Sequence, residues 1–170
     1  MTPVTPVTPV TTVTNVPRDG ARDFDFLHGS WRIDHRRLKE RLADCDDWEE
    51  FSTAMRCRPI LGGAGNLDAG EFPSRGYHAM SLRLYDRQEQ AWSIYWITSL
   101  SSAIDPGVTG RFDADGVGQF FGPDTHNGIP VVVRYTWSQI TPVSARWEQA
   151  FSTDDGRTWE VNWIMNLTRT

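Results

Sequence analysis

In Trp159-Glu160-Val161-Asn162-Trp163-Ile164-Met165-Asn166-Leu167-Thr168-Arg169, the side chains of Trp159, Val161, Trp163, Met165, Leu167 and Arg169 fall on one face of a period-two strand. A helix of about 3.6 residues per turn would spread them around its circumference, so the segment reads as β. The same alternation begins at Trp31, where Trp31, Ile33 and His35 fall together. It marks candidate strands at 30–38, 49–58, 60–68, 77–86, 91–99, 107–114, 117–122, 130–139, 144–153 and 158–169. Hairpin chemistry separates several of them, at Gly62-Gly63, Asp115-Gly116, Asn127-Gly128 and Asp155-Gly156, where a positive φ costs little. Short connections make sequential strands antiparallel neighbours. Eight to ten strands in an open sheet leave two unpaired edges, whereas a closed meander barrel leaves none; a two-sheet sandwich is the alternative. Closure places the end of the last strand beside the beginning of the first. Arg169 then reaches the indole of Trp31, a cation–π contact worth about 1 kcal/mol.

The remaining composition fits one such domain. The 170 residues are 39% hydrophobic with eight Trp and eight Phe, enough for a sizeable core. A net charge of −5 with no run of Lys or Arg argues against a nucleic-acid partner. Residues 1–20 repeat Thr-Pro-Val three times and read as a disordered leader, with the barrel occupying 21–170. The leader lacks the basic and apolar blocks of a secretory signal, and no apolar run approaches the ~20 residues of a membrane span, so a cytoplasmic protein without a membrane partner is expected. Cys45 and Cys57 have no zinc-ligand spacing and are read as reduced thiols, a disulfide between them staying open. Asp23-Phe24-Asp25-Phe26-Leu27-His28-Gly29 reads as a short helical turn that closes one end of the fold. Leu38 to Trp48 fits either a short helix or a long loop.

Gly29-Ser30-Trp31 at the start of the first strand resembles the lipocalin G-x-W signature. The chain from Phe24 to Arg169 is also similar to a family of bacterial calycin-like proteins of unknown function. That similarity rests on Phe24-Asp25-Phe26-Leu27-His28-Gly29-Ser30-Trp31, Gly65-Asn66, Ser81-Leu82-Arg83-Leu84-Tyr85, Trp92-Ser93-Ile94-Tyr95-Trp96, Arg146-Trp147-Glu148-Gln149-Ala150-Phe151-Ser152 and Trp159 through Trp163. The resemblance implies a lipocalin-like barrel from a bacterium, with the packing of Arg169 on Trp31, and carries no activity with it.

Alternation sorts the strands into an interior and an exterior face. Trp92, Ile94 and Trp96 share a face, as do Val131, Val133, Tyr135 and Trp137, then Trp147, Gln149 and Phe151, then Trp163 and Met165. The expected interior is rich in indoles, with His35, Arg37, Tyr135 and Gln149 as its few polar groups, which is the make-up of a small-molecule site. The candidate ligand-binding residues are therefore His35, Arg37, Trp92, Trp96, Tyr135, Trp137, Trp147, Gln149, Trp163 and Met165. The leading function is enclosure of an apolar or aromatic small molecule by a monomer or homodimer. A rival is an enzyme, a cyclase, isomerase or hydrolase acting on a hydrophobic intermediate, with His35, Tyr135 or Glu148 as acid or base. A third reading is a solid-core structural or interaction domain, and His35 by itself also reads as a surface or hydrogen-bonded strand histidine. Arg83, Tyr95, Arg134, Glu148 and Asn162 have the opposite parity and are expected outside, as an ion-pair ladder. A bulge would reverse them and suit a carboxylate ligand through Arg83 or Arg134. No metal or cofactor is expected: H-x-H, H-E-x-x-H, P-loop and G-x-S-x-G patterns are missing, and no histidine follows His126, which falls in an apparent turn at 124–128 and so offers no late-strand haem ligand.

Overall fold

The computed structural model describes residues 19–101, 103–104 and 106–170, so nearly all of the leader at 1–20 lies outside the described residues. Ten strands run in sequence: β1 (Gly29–Leu38), β2 (Trp48–Ile60), β3 (Gly65–Phe72), β4 (Tyr77–Asp86), β5 (Ala91–Thr98), β6 (Val108–Phe112), β7 (Gly118–His126), β8 (Ile129–Ser138), β9 (Ser144–Ser152) and β10 (Glu160–Arg169). Each pairs antiparallel with the next, and β10 pairs with β1, so the meander closes into a barrel. Trp31 sits opposite Arg169 in the closing register, and the Arg169 guanidinium carbon lies 4.2 Å from the Trp31 ring centroid. The sandwich alternative is thereby removed.

The connections alternate between two ends, as a meander requires. At one end, two short 3-10 turns, Gly20–Arg22 and Asp25–Leu27, lie across the opening as a plug. Phe24 and Leu27 have no exposed surface, and the Phe24 ring meets Trp92, Phe112 and Phe120 at centroid distances of 5.1, 5.0 and 5.5 Å. Burying each of these two side chains is worth roughly 1.5–3 kcal/mol. Arg169 fastens the plug from below. Its Nη1 and Nη2 donate to the carbonyls of His28 and Phe26 at 2.7 Å each, its Nε donates to Pro142 O at 2.8 Å, and the Trp31 indole N–H donates to Leu27 O at 2.8 Å. Gly29 is forced by this clamp: its φ is +118°, and a Cβ there would stand 2.6 Å from Arg169 Nη1.

The two-residue hairpin at Asn127-Gly128 has φ values of 50° and 81°, the positive pair of a type I′ turn. Three expectations about strand limits and faces need correction. β3 begins at Gly65 because Leu61–Gly63 coils into a 3-10 turn with Gly62 at φ 64°. β7 continues past Pro123 to His126. β6 pairs with β7 only as far as Phe121, so Pro123 lies beyond that pairing, where a missing N–H is tolerated. On β10, the register with β9 shifts between Val161 and Trp163, a bulge at Asn162. Trp163, Met165 and Leu167 keep the interior face, while Trp159 turns outward to meet Phe121 and Arg134. The stretch Leu38–Trp48 contains no helix; Leu42 and Asp44 take positive φ in an open loop.

Strand β4 inverts the usual reading of alternation. Ala79, Ser81, Arg83 and Tyr85 are the buried set, and the aliphatic Met80, Leu82 and Leu84 lie on the other face, half-buried. Arg83 is thus interior. Neighbouring β3 contributes Asn66 and Asp68 to the same wall, and both are buried. The thiols of Cys45 and Cys57 are both free; burial pushes that of Cys57 up to about 12. Among the described residues, no helix is long and apolar enough to cross a membrane.

Candidate functional site

The barrel interior holds a cavity of about 750 Å³ that opens at the end opposite the plug, inside the ~300–1,000 Å³ range of small-molecule sites. A small side chain on one wall makes the room. Ser81 on β4 faces the aromatic wall of β5 and β8–β10, so the rings of Trp96, Tyr135, Trp147 and Trp163 stop short of filling the centre. These rings support one another edge-on. Trp163 meets Trp147 at 5.7 Å and 86° and Trp96 at 6.2 Å and 85°, and Tyr135 meets Trp147 at 4.9 Å.

Of the residues expected in the site, Arg37, Trp96, Tyr135, Trp137, Trp147, Gln149, Trp163 and Met165 line this cavity. Trp92 does not. It lies at the plugged end, where its indole N–H donates to Gly20 O at 2.9 Å. Glu148 is on the outer face, held by Arg146 at 2.6 Å, and Tyr95 and Arg134 share that face as expected, Arg134 stacked 4.3 Å from the Trp159 centroid. Asn162 and Arg83 correct the parity expectation. The bulge turns Asn162 inward, where its Oδ1 accepts from Gln149 Nε2 at 2.9 Å. Arg83 donates through Nη1 to Asp68 Oδ2 at 2.5 Å and to Asn66 Oδ1 at 3.1 Å, so its charge is already matched inside the wall.

His35 lies behind the aromatic wall and does not line the main cavity. It is 1% exposed, and its ring stacks on Phe51 at 4.4 Å and 9°. An indole N–H can only donate, so the 3.1 Å contact from Trp163 Nε1 makes His35 Nδ1 an acceptor and leaves the proton on Nε2, which donates to Thr53 Oγ1 at 2.8 Å. Both nitrogens are engaged by the protein. The residue holds Trp163 in place. Burial, followed by the nearby charges of Arg75 and Arg37 and against the pull of Asp34, lowers its pKa from 6.5 to about 4. The unfolded chain takes up a proton near pH 6.5, and the folded chain refuses it until about pH 4. The stability from the neutral ring is therefore complete above 6.5 and is lost as pH falls from 6.5 towards 4. We expect up to about 3 kcal/mol of stability to disappear over that window in urea unfolding, and the slope to flatten in a His35→Gln variant. An equally steep slope in the variant refutes the assignment.

Beside the expected Arg37, the mouth carries two residues that the sequence did not single out, Arg41 and Arg75. Arg37 is the last residue but one of β1, Arg41 lies in the β1–β2 loop, and Arg75 lies in the Pro73–Arg75 turn between β3 and β4. Glu160 positions the first loop, its carboxylate accepting from Leu42 N at 2.9 and 3.0 Å. Each guanidinium lies over a ring: Arg37 is 4.9 Å from Trp163, Arg41 is 5.6 Å from Phe151, and Arg75 is 5.0 Å from Phe51. His126 ends a strand at this mouth, not in a turn, 5.5 Å from the Phe151 ring, and burial and Arg41 lower its pKa. One signal could have found Arg41 and Arg75: in a meander the first and third connections share an end, the one where Arg37 lies near the end of its strand. Among the described residues no group of three or more His, Cys, Asp or Glu could hold a metal ion. No protein-family model matches the chain, and no curated protein is significantly similar to it.

Proposed function

We propose that the protein is a lipocalin-like, small-molecule-binding barrel that encloses one apolar or aromatic ligand. The observation that carries this reading is the cavity of about 750 Å³ walled by Trp96, Tyr135, Trp147 and Trp163 and open at one end. Edge-on indoles offer a ligand large apolar faces, and Gln149 and Tyr135 offer it polar contacts. Catalysis is the weaker reading, because His35 is tied at both nitrogens and Glu148 faces outward. Tyr135 alone of the three acid–base candidates borders the space. A cytoplasmic, bacterial protein acting as a monomer or homodimer fits this reading.

The test is native mass spectrometry of the protein purified from its host, joined to a thermal-shift screen of aromatic and aliphatic compounds. A co-purifying or stabilising compound is expected, with binding weakened about tenfold or more in Met165→Trp, a loss of at least 1.4 kcal/mol from filling the cavity. Finding no ligand by either route removes the proposal. So does full affinity in a folded Met165→Trp variant.

A further inference from the structure

Three guanidinium groups meet at the mouth, yet the carboxylates around them are already engaged. Glu49 pairs with Arg75, and Glu50 pairs with Arg36 at 3.2 Å. Glu160 accepts from the backbone of Leu42, and Asp124 accepts from Thr125 N at 2.6 Å. Among the described residues, Arg37 and Arg41 have no carboxylate within ion-pair distance. The Nη2 atom of Arg41 is buried without an acceptor. Withdrawing a guanidinium from water with no ion-pair partner is unfavourable, and here two are held side by side over the rings that wall the cavity. Burial and the mutual repulsion of Arg37, Arg41 and Arg75 lower the Arg41 pKa to about 10, with Glu160 pulling the other way, and burial and Arg75 lower that of Arg37. A ligand that brought a negative charge to this point would relieve both the desolvation and the repulsion.

Resting on the binding reading above, we propose that the bound molecule is an amphipathic carboxylate, its head group held by Arg37 and Arg41 at the mouth and its apolar body among Trp96, Trp147 and Trp163. A guanidinium fork matches a carboxylate in shape as well as charge. Glu49, Glu50 and Asp124 line the same opening and the charge of Glu160 acts on Arg41, which favours a single negative charge over a phosphate dianion. Arg83, the other interior arginine, is already neutralised by Asp68 and is not the head-group partner.

The experiment is calorimetric titration of the full chain with three probes of one apolar body: 2-naphthylacetate, the neutral 2-naphthylethanol and 2-naphthyl phosphate. The acid is expected to bind about tenfold to hundredfold more tightly than the alcohol, as charge-assisted hydrogen bonds to one head group would give. That preference is expected to shrink at high NaCl and to fall within about threefold in the Arg37→Gln/Arg41→Gln variant, with little change for the alcohol. Equal binding of acid and alcohol overturns the anionic head group while leaving the cavity as a binding site. Tighter binding of the phosphate overturns the carboxylate class, and an acid preference that survives the double substitution overturns the assignment to these two arginines. If none of the three binds, the binding reading falls and this inference with it. The wild-type comparison and its salt dependence need no variant, and Arg37→Gln alone carries the residue assignment if the double variant is unstable.

Discussion

Replacing Arg169 by Ala lowers the melting temperature by about 10 °C, because the substitution removes about 3 kcal/mol from a domain of this size. The loss has four sources on one side chain. Its donors satisfy the carbonyls of Phe26, His28 and Pro142, and its charge sits 4.2 Å over Trp31. The first two carbonyls belong to the plug and its junction with β1, so the variant loosens the cover as well as the seam. Arg169→Lys recovers less than half of the loss, since an ammonium has neither the planar fork nor three donors directed at three carbonyls. Gly29→Ala falls in the same class, its Cβ driven against Arg169 Nη1 at a φ that favours glycine. Calorimetric melting checks all three. A change under about 3 °C for Arg169→Ala would mean that the seam is held by strand pairing alone.

Asp68→Ala costs about 3–5 kcal/mol, the usual penalty when one member of a buried ion pair is removed and the other stays. Arg83 and Asp68 have side-chain exposures of 4% and 6%, so removing Asp68 leaves a nearly buried guanidinium without its ion-pair partner. Arg83 Nε and Asn66 Nδ2 are already buried without acceptors, so the site has no spare group to take up the charge. The double replacement Asp68→Leu/Arg83→Met is expected within about 1–2 kcal/mol of the wild type, because an apolar pair of similar volume removes the desolvation cost together with the attraction. Urea unfolding of the two single variants and the double variant forms a cycle that isolates the coupling. Additive losses, with the double variant as unstable as the sum of the singles, would show that the pair does not act as a unit.

The barrel was legible in the chain because several local signals agreed. Period-two alternation marked every strand, and the Asn-Gly and Asp-Gly dipeptides fell where positive φ is needed. Trp31 and Arg169, 138 residues apart, could be neighbours only if the sheet closed. The interior was harder to read, for reasons that single residues make clear. On β4 the hydrophobic set, Met80, Leu82 and Leu84, faces outward and the buried set contains Ser81 and Arg83, so polarity pointed to the wrong face; a cavity needs small or paired polar groups on its wall, and a packed core does not. At Asn162 one extra residue exchanged the faces of Trp159 and Trp163, which look equivalent in a list of alternating positions. Arg41 and Arg75 lie in connections, where no periodicity exists to sort them. Trp92 was placed on the correct face, but a face extends over the whole barrel, and only the plug determines that its lower half is filled.

Thr170, just past β10, lies beside the start of β1 beneath the plug, where its N–H donates to Ser30 O at 3.1 Å. An attachment made through the C-terminus therefore leaves from the end of the barrel opposite the opening. Tethered that way to an electrode or a chromatographic bead, the protein would present its aromatic throat to the bulk solution. The five connections at the opening could then be lengthened or randomised without touching the Arg169 clamp, which makes this chain a scaffold for sensors as well as an object of study.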